Sequence, residues 1–199
     1  MPAATKDHPE NQSLPRFEKI GIIARWQPVH TGHAVLLSAL CDRADHVMIG
    51  VGSSNVYNFR NPFTLEETLD MLHLTLTGRQ NYTLISVPDL NNGPKWREMV
   101  LEMFGELALF LTANPYVYSL MKDVYPIQKP VTLVPDEDKI PLTGMMVRRE
   151  MARGGKWQDL VPANVAAYIE KHKIEDRFKQ EFGLQTLAID SIIQERSDS

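Results

Sequence analysis

The stretch Ile22-Ile23-Ala24-Arg25-Trp26-Gln27-Pro28-Val29-His30-Thr31-Gly32-His33 decides the fold of this chain. It begins as an apolar run, and the residues after it, 34–40, have the composition of a helix. A buried strand is therefore predicted to pass into a helix at the two histidines. Because a helix start offers free backbone N–H groups and the positive end of the helix dipole, a phosphate group can bind there. One histidine alone is more often a packing or solvated residue, but the pair with its glycine favours a binding site.

Composition narrows the class of protein. Of the 199 residues, 43% are hydrophobic and 23% are charged, which is ordinary for a soluble globular protein. The net charge of -4 argues against a large nucleic-acid surface, and no apolar run reaches the ~18 residues of a membrane span. A single cysteine, Cys41, cannot form an intrachain disulfide, which favours a reducing, cytoplasmic location. Residues 1–16 are polar and proline-containing, and we expect a flexible arm there.

Alternation of strands and helices predicts the architecture. Strands are predicted at 17–24, 45–52, 82–87, 107–111 and 126–134, the last with its centre at 131–134. Thr64 and Glu67 form a capping box at the start of the second helix. Such alternation is typical of an α/β fold with a Rossmann-like, doubly wound parallel sheet, here over residues 17–173. We expect a C-terminal helical extension over 174–199, with an apolar stripe of Leu184, Leu187, Ala188 and Ile192.

Polar or glycine-rich residues follow the predicted strands. In a doubly wound sheet, ligands bind outside the carboxyl ends of the strands, so these residues are expected to share one site. Each has a simpler interpretation by itself: Gly52-Ser53 and Asp89 can build turns, Asn114 can cap a helix, and Trp96 can pack in the core. The residues brought together by this prediction are His30, His33, Gly52, Ser53, Asp89, Asn114, Thr143 and Arg148.

The segment Arg25–His33 resembles the R-F-Q-P-x-H-x-G-H form of the nucleotidyltransferase signature. Further segments follow in the order and spacing of the archaeal-type nicotinamide mononucleotide adenylyltransferases, and the resemblance covers about residues 18–165. These segments are 49–53, Asn61-Pro62-Phe63-Thr64, Val87-Pro88-Asp89, Trp96, Asn114-Pro115, Thr143-Gly144 with Arg148-Arg149, and Trp157-x-x-Leu160-Val161-Pro162.

This resemblance implies an HxGH nucleotidyltransferase fold and the reaction ATP + nicotinamide mononucleotide → NAD + pyrophosphate, by direct in-line displacement with Mg²⁺ brought by ATP. It implies ATP and the mononucleotide as partners, no nucleic acid, no membrane, no metal-ligating residues, and a homo-oligomer as one expectation. The implied catalytic residues are His30, His33 and Arg148. The implied ATP contacts are Arg25, Trp26, Gln27, Pro28, Gly32, Thr143, Met146 and Val147. The implied mononucleotide contacts are Gly52, Ser53, Asn61, Asp89, Trp96 and Asn114.

The second motif departs from the family pattern. Met145 and Met146 stand where a hydroxyl residue and an acidic residue are usual, so one side-chain donor to the triphosphate is missing. Two alternatives therefore remain beside the leading hypothesis. One is an adenylyltransferase of the same fold with another phosphate acceptor, such as phosphopantetheine or flavin mononucleotide. The other is a nucleotide-binding regulator without turnover. A cytidylyltransferase is disfavoured, because the serine- and threonine-rich second motif of that group is absent.

Overall fold

A parallel sheet organises the fold of the computed structural model, which describes residues 16–197. Within that range five strands, β1 (Phe17–Ala24), β2 (Ala44–Gly52), β3 (Tyr82–Val87), β4 (Leu109–Leu111) and β5 (Ile127–Gln128), pair in parallel in the order β3-β2-β1-β4-β5. The strand order reverses between β1 and β4, so a crevice opens at their carboxyl ends. The predicted doubly wound parallel sheet is confirmed.

Helices cover both faces of this sheet and its C-terminal side. The α-helices of the described residues are α1 (Thr31–Arg43), α2 (Leu65–Thr75), α3 (Gly93–Phe104), α4 (Pro115–Met121), α5 (Gly144–Arg153), α6 (Ala163–Lys171), α7 (Ile174–Phe178) and α8 (Leu184–Ser197). A π-helical segment, Lys179–Gly183, joins α7 to α8. Among the helices described, none combines the length and apolar character needed to span a bilayer.

Two apolar clusters bury the faces of the sheet. The larger contains residues of α1, α2, α5, α6 and α7, and the smaller contains residues of α3 and α4. The central strands β1 and β2 supply fully buried isoleucines and valines, which is why their sequences are almost continuously apolar. Fully buried side chains of the two clusters include Leu37, Met71, Val147, Trp157 and Phe178, and Val100, Phe110 and Met121.

The predicted capping box at the start of α2 is confirmed. The Thr64 hydroxyl accepts a hydrogen bond from the Glu67 N–H, and the Glu67 carboxylate accepts one from the Thr64 N–H, so the capping box is complete. Gly154 ends α5 in the left-handed region, at φ 69°. These features depend on neighbouring residues alone, and the sequence is sufficient to predict them.

The predicted fifth strand is wrong in extent. β5 contains only Ile127–Gln128, and Pro130–Leu133 forms a 3₁₀ helix where the strand centre was expected. Pro130 has no N–H for a sheet ladder and its ring fixes φ near a helical value. The Thr132 hydroxyl also donates to the Lys129 carbonyl at 2.7 Å, which stabilises the turn.

The predicted apolar stripe of α8 is also wrong. Its members, Leu184, Leu187, Ala188 and Ile192, do not form the buried face: Leu184 is 85% exposed and Ile192 is 51% exposed. The buried face instead contains Asp190, which pairs with Arg149 at 3.5 Å and with Arg153 at 2.8 Å. Ion pairs with α5 therefore set the orientation of α8, and these pairs cannot be read from a hydrophobic pattern.

The domain boundaries remain predictions. Residues 1–15 of the expected arm and residues 198–199 of the extension lie outside the described residues. Arg16, which was assigned to the arm, pairs with Asp45 at 2.6 Å and donates to the carbonyls of Asp42 and Ala44.

Candidate active site

A cavity of about 890 Å³ opens at the carboxyl ends of the strands. Its volume lies within the range of small-molecule sites. Eight of the predicted site residues line this cavity, as the positions of the strand ends implied. Those that line the cavity are Arg25, Trp26, His33, Gly52, Ser53, Asp89, Trp96 and Asn114.

The two histidines form a stacked pair at the start of α1. His30 is the N-cap residue, and its Nδ1 accepts a hydrogen bond from the His33 N–H at 3.2 Å. The two rings stack with centroids 3.6 Å apart. Burial lowers the pKa of His30 to about 4, and burial together with the neighbouring His30 lowers the pKa of His33 well below its ordinary value. Both rings are therefore neutral at pH 7, and the bond to Nδ1 places the proton of neutral His30 on Nε2.

Trp26 and Gln27 hold the end of β1 in place. Trp26 has φ 57°, a left-handed conformation that is unusual for a large side chain, and its indole donates to the Gly50 carbonyl at 2.9 Å. The Gln27 amide donates to the Phe63 carbonyl and to Thr68, and it accepts from the Phe63 N–H. Protein groups thus occupy the polar atoms of both side chains. Their role as ATP contacts stays a prediction.

Arg148 reaches the same strand end from α5. It is 4% exposed, and its Nη1 donates to the Gln27 carbonyl at 2.5 Å. Within residues 16–197, the buried Nε of Arg148 has no hydrogen-bond partner. Gly144 permits this approach, because a Cβ at that position would lie 2.5 Å from the Gln27 carbonyl oxygen.

Three arginines concentrate positive charge near the histidines. Burial, followed by repulsion from Arg25 and Arg60, lowers the pKa of Arg148 to about 10, so Arg148 remains charged at pH 7. Arg60 lines the cavity but was not among the predicted residues. It is an exposed loop residue with no regular spacing; its only sequence signal was its position directly before Asn61-Pro62-Phe63-Thr64.

Loops and helix starts build the opposite side of the cavity. The Asn55 side chain accepts from the Asp89 N–H at 2.8 Å and donates to the Asp89 carbonyl at 3.0 Å, which fixes that loop. Asn114 caps α4, because its side-chain oxygen accepts from the N–H groups of Tyr116 and Val117, and it lines the cavity as well. Asn114 can therefore cap the helix and also belong to a binding site.

The remaining predicted residues do not line the cavity. They are His30, Gln27, Pro28, Gly32, Asn61, Thr143, Met146, Val147 and Arg148. Val147 is fully buried in the core, and Asn61 is 4% exposed. The Thr143 hydroxyl accepts from the Met146 N–H as the N-cap of α5, and Met145 Sδ lies 3.9 Å from Arg148 Nη2. The methionine that replaces a hydroxyl residue thus contacts the buried guanidinium.

Comparisons with known proteins agree with this arrangement. Residues 22–150 match the family described as cytidylyltransferase-like. A nicotinamide-nucleotide adenylyltransferase of Pyrococcus furiosus is 33% identical over 163 residues, which is 79% of this chain and 85% of that protein. A nicotinamide-nucleotide adenylyltransferase of Pyrococcus horikoshii is 34% identical over 161 residues, again 79% and 85%.

A solved structure supports the fold. It is a bifunctional NMN adenylyltransferase/ADP ribose pyrophosphatase of Francisella tularensis complexed with AMP and an Mn ion. The TM-score is 0.59 at 16% identity, and the match covers 83% of this chain and 52% of that one. This chain spans about half the length of that structure, so the likeness concerns the fold alone. The sequence relatives decide the family: this chain belongs to the nicotinamide-nucleotide adenylyltransferases.

Proposed function

We propose that this chain transfers the adenylyl group of ATP to nicotinamide mononucleotide, forming NAD and releasing pyrophosphate. One observation carries the proposal beyond family membership. A single cavity combines Arg25, Arg60 and His33, which suit phosphates, with Trp96 and Asp89, which suit a cationic ring.

The reaction is a direct displacement at phosphorus. An oxygen of the 5′-phosphate of the mononucleotide attacks the α-phosphorus of ATP, and the bond to the bridging oxygen of the β-phosphate breaks as pyrophosphate leaves. No protein nucleophile is needed, because catalysis depends on positioning and on stabilising charge on the phosphoryl oxygens. The residues around the cavity therefore have to align two phosphates and balance their charge.

Neutral histidines and charged arginines divide this work. His33 lines the cavity and His30 stacks on it, so we assign both as hydrogen-bond donors to the reacting phosphates. Arg148, with its free Nε, and Arg25 neutralise the triphosphate and the departing pyrophosphate. Arg60 joins them, because it lies on the same cavity and its charge acts on Arg148.

Trp96, Asp89 and Asn114 are assigned to the mononucleotide. The pyridinium ring is cationic, and an aromatic face or a carboxylate attracts such a ring. Gly52 and Ser53 lie on the same cavity, where glycine lets a ligand approach the backbone. Asn61 is assigned to the edge of this pocket from the resemblance.

Magnesium is proposed to arrive with ATP as part of the substrate. Among the side chains that the structure describes, those of residues 16–192, no group of three His, Cys, Asp or Glu could hold a metal ion. The described residues therefore fit a magnesium ion that is bound chiefly by phosphate oxygens and water rather than by side chains. Its chemistry would be to neutralise triphosphate charge.

Location and assembly complete the proposal. A buried free thiol, Cys41, suits the reducing cytoplasm. The net charge of -4 supports small-molecule partners over nucleic acid. A homo-oligomer remains part of the proposal.

A coupled assay of pyrophosphate release tests the function. MgATP is supplied with nicotinamide mononucleotide, nicotinate mononucleotide, flavin mononucleotide or phosphopantetheine. We expect release with nicotinamide mononucleotide and a loss of ~10²–10³ in kcat for His33→Ala, since one donor to the transition state is removed. Release only with another acceptor would reassign the substrate. ATP binding without release for any acceptor would replace the enzyme by a nucleotide-binding regulator.

A further inference from the structure

We propose that the C-terminal segment is part of the active-site machinery, with Arg177 as a positioning residue for Arg60. We name Arg177, Glu181 and Phe182 the C-terminal clamp. The clamp holds both ends of the loop over residues 57–62, which presents Arg60 to the cavity. This inference rests on the proposed function, because Arg60 is useful only when nucleotide phosphates occupy the cavity.

Arg177 fixes the C-terminal end of the loop. Its guanidinium binds the Glu67 carboxylate with both Nη atoms, at 2.5 and 2.7 Å, and Nη2 also donates to the Pro62 carbonyl at 3.1 Å. Two parallel bonds between a guanidinium and a carboxylate define a direction as well as a distance. Glu67 belongs to the capping box of α2, so the position of Pro62 is set relative to that helix.

The same carboxylate is held in its charged form. Burial alone would raise the pKa of Glu67, but hydrogen bonds from Arg177 and from the Thr64 N–H outweigh it, and the pKa lies below its ordinary value. Glu67 is therefore ionised at pH 7, which keeps the pair with Arg177 intact under working conditions.

Tyr57 fixes the N-terminal end of the loop. Its hydroxyl donates to Glu181 at 2.5 Å, and its ring meets Phe182 edge to face with centroids 5.2 Å apart. The Arg177 guanidinium carbon lies 5.9 Å from the centre of the Tyr57 ring. All three clamp residues thus contact this one side chain.

A tight turn between these two ends aims Arg60. Asn58 and Asn61 exchange backbone hydrogen bonds at 3.2 and 2.8 Å, and the Asn58 side chain accepts from the Arg60 N–H at 2.9 Å. In the absence of nucleotide, Arg60 and Arg148 lie close enough for their like charges to repel each other. The clamp opposes this repulsion, so a phosphate meets a cation that is already in position.

A double-mutant cycle between Arg177 and Arg60 tests the proposal. The proteins are wild type, Arg177→Ala, Arg60→Ala and the double variant, and calorimetry gives the Kd of MgATP and of nicotinamide mononucleotide. We expect Arg177→Ala to weaken at least one affinity about 10-fold in wild type and less than about 2-fold when Arg60 is absent. An equal factor in both backgrounds would overturn the proposal, because Arg177 would then act without Arg60.

Matched controls separate positioning from stability. Arg79 pairs with Asp42 at 2.5 Å and has a side chain 35% exposed, against 31% for Arg177, and it does not line the cavity. We expect Arg79→Ala to change both affinities less than about 2-fold, although it also removes an arginine that forms an ion pair, here with the more exposed Asp42. Tyr57→Phe keeps the ring but removes the bond to Glu181, and it should cause a smaller loss that also vanishes in Arg60→Ala. Equal losses in Arg79→Ala and Arg177→Ala would overturn the proposal.

The double-mutant cycle and its controls measure binding, so they do not require turnover. If the chain binds MgATP but releases no pyrophosphate with any acceptor, the proposed function fails, and the MgATP arm of the cycle still decides whether Arg177 acts through Arg60. If turnover is present, the same four proteins give kcat and KM, and rescue by Arg177→Lys is expected to be incomplete, because lysine cannot bind Glu67 and Pro62 in the same fork.

Discussion

The two sides of the cavity are built differently. On the phosphate side, Arg148 and His30 are buried; Arg148 donates to the Gln27 carbonyl in the loop after β1, and His30 caps α1. The base side, with Asp89 and Trp96, stands on an exposed loop and at a helix start. A buried, preorganised group aligns reacting atoms, whereas a group on a loop mainly sets ligand affinity. We therefore expect changes on the first side to lower kcat and changes on the second to raise KM.

The largest effect is expected for Arg148. Arg148→Ala should lower kcat by ~10²–10³, because the guanidinium is proposed to contact the triphosphate and it also donates to the Gln27 carbonyl. Arg148→Lys should recover little, because an ammonium cannot replace a fork fixed to the Gln27 carbonyl. Steady-state kinetics with MgATP measure both. A change confined to the KM of the mononucleotide would contradict the expectation that residues on the phosphate side control kcat.

The second effect is a pH dependence of stability. Burial lowers the pKa of folded His30 to about 4, whereas a histidine in the unfolded chain titrates near its ordinary 6.5. Between these values the unfolded state binds more protons, so the free energy of unfolding falls as the pH drops from 6.5 to 4 and does not change with this group above 6.5. The loss from His30 is about 3 kcal/mol.

Urea unfolding at a series of pH values checks this prediction. His30→Asn is the matched variant, because asparagine can still accept the His33 N–H as an N-cap but does not titrate. Its stability should depend less steeply on pH over the same interval. Parallel curves for the two proteins would show that His30 keeps its ordinary pKa.

The smallest effect is expected on the base side. Trp96→Ala should raise the KM for nicotinamide mononucleotide by roughly 5- to 30-fold, since a cation–π contact contributes about 1–2 kcal/mol, and kcat should change less. Trp96→Phe keeps an aromatic face and should recover most of the affinity. Kinetics with varied mononucleotide measure this effect. An unchanged KM would return Trp96 to the core-packing interpretation.

Much of the fold could be predicted because its signals are local. The apolar run of β1, the capping box of Thr64 and Glu67, and the stop at Gly154 depend on residues that are close in sequence. The clustering of strand-end residues follows from the parallel sheet, so eight of the residues that line the cavity were also predictable. Pro130 is a local signal whose effect the predicted fifth strand ignored, since its missing N–H ends β5 early.

What could not be predicted depends on contacts between distant residues. Asp190 turns α8 toward Arg149 and Arg153, against the apolar pattern of that helix. No sequence spacing identifies Arg60 as a site residue. Its role can be inferred only from the structure, where it lines the cavity and its charge acts on Arg148. The side-chain bonds of Gln27 likewise reach residues more than thirty positions away.

Three side-chain donors around the cavity bond to main-chain carbonyl groups. Arg148 donates to the carbonyl of residue 27, Arg177 to that of residue 62, and Trp26 to that of residue 50. Every amino acid supplies the same carbonyl group. Residue 62 can therefore vary without loss of this acceptor, whereas Gln27 also bonds to Phe63 and Thr68 through its amide, and a Cβ at Gly50 would lie 2.7 Å from Ile23. A library randomised at residue 62 should retain more active members than one randomised at its donor, Arg177.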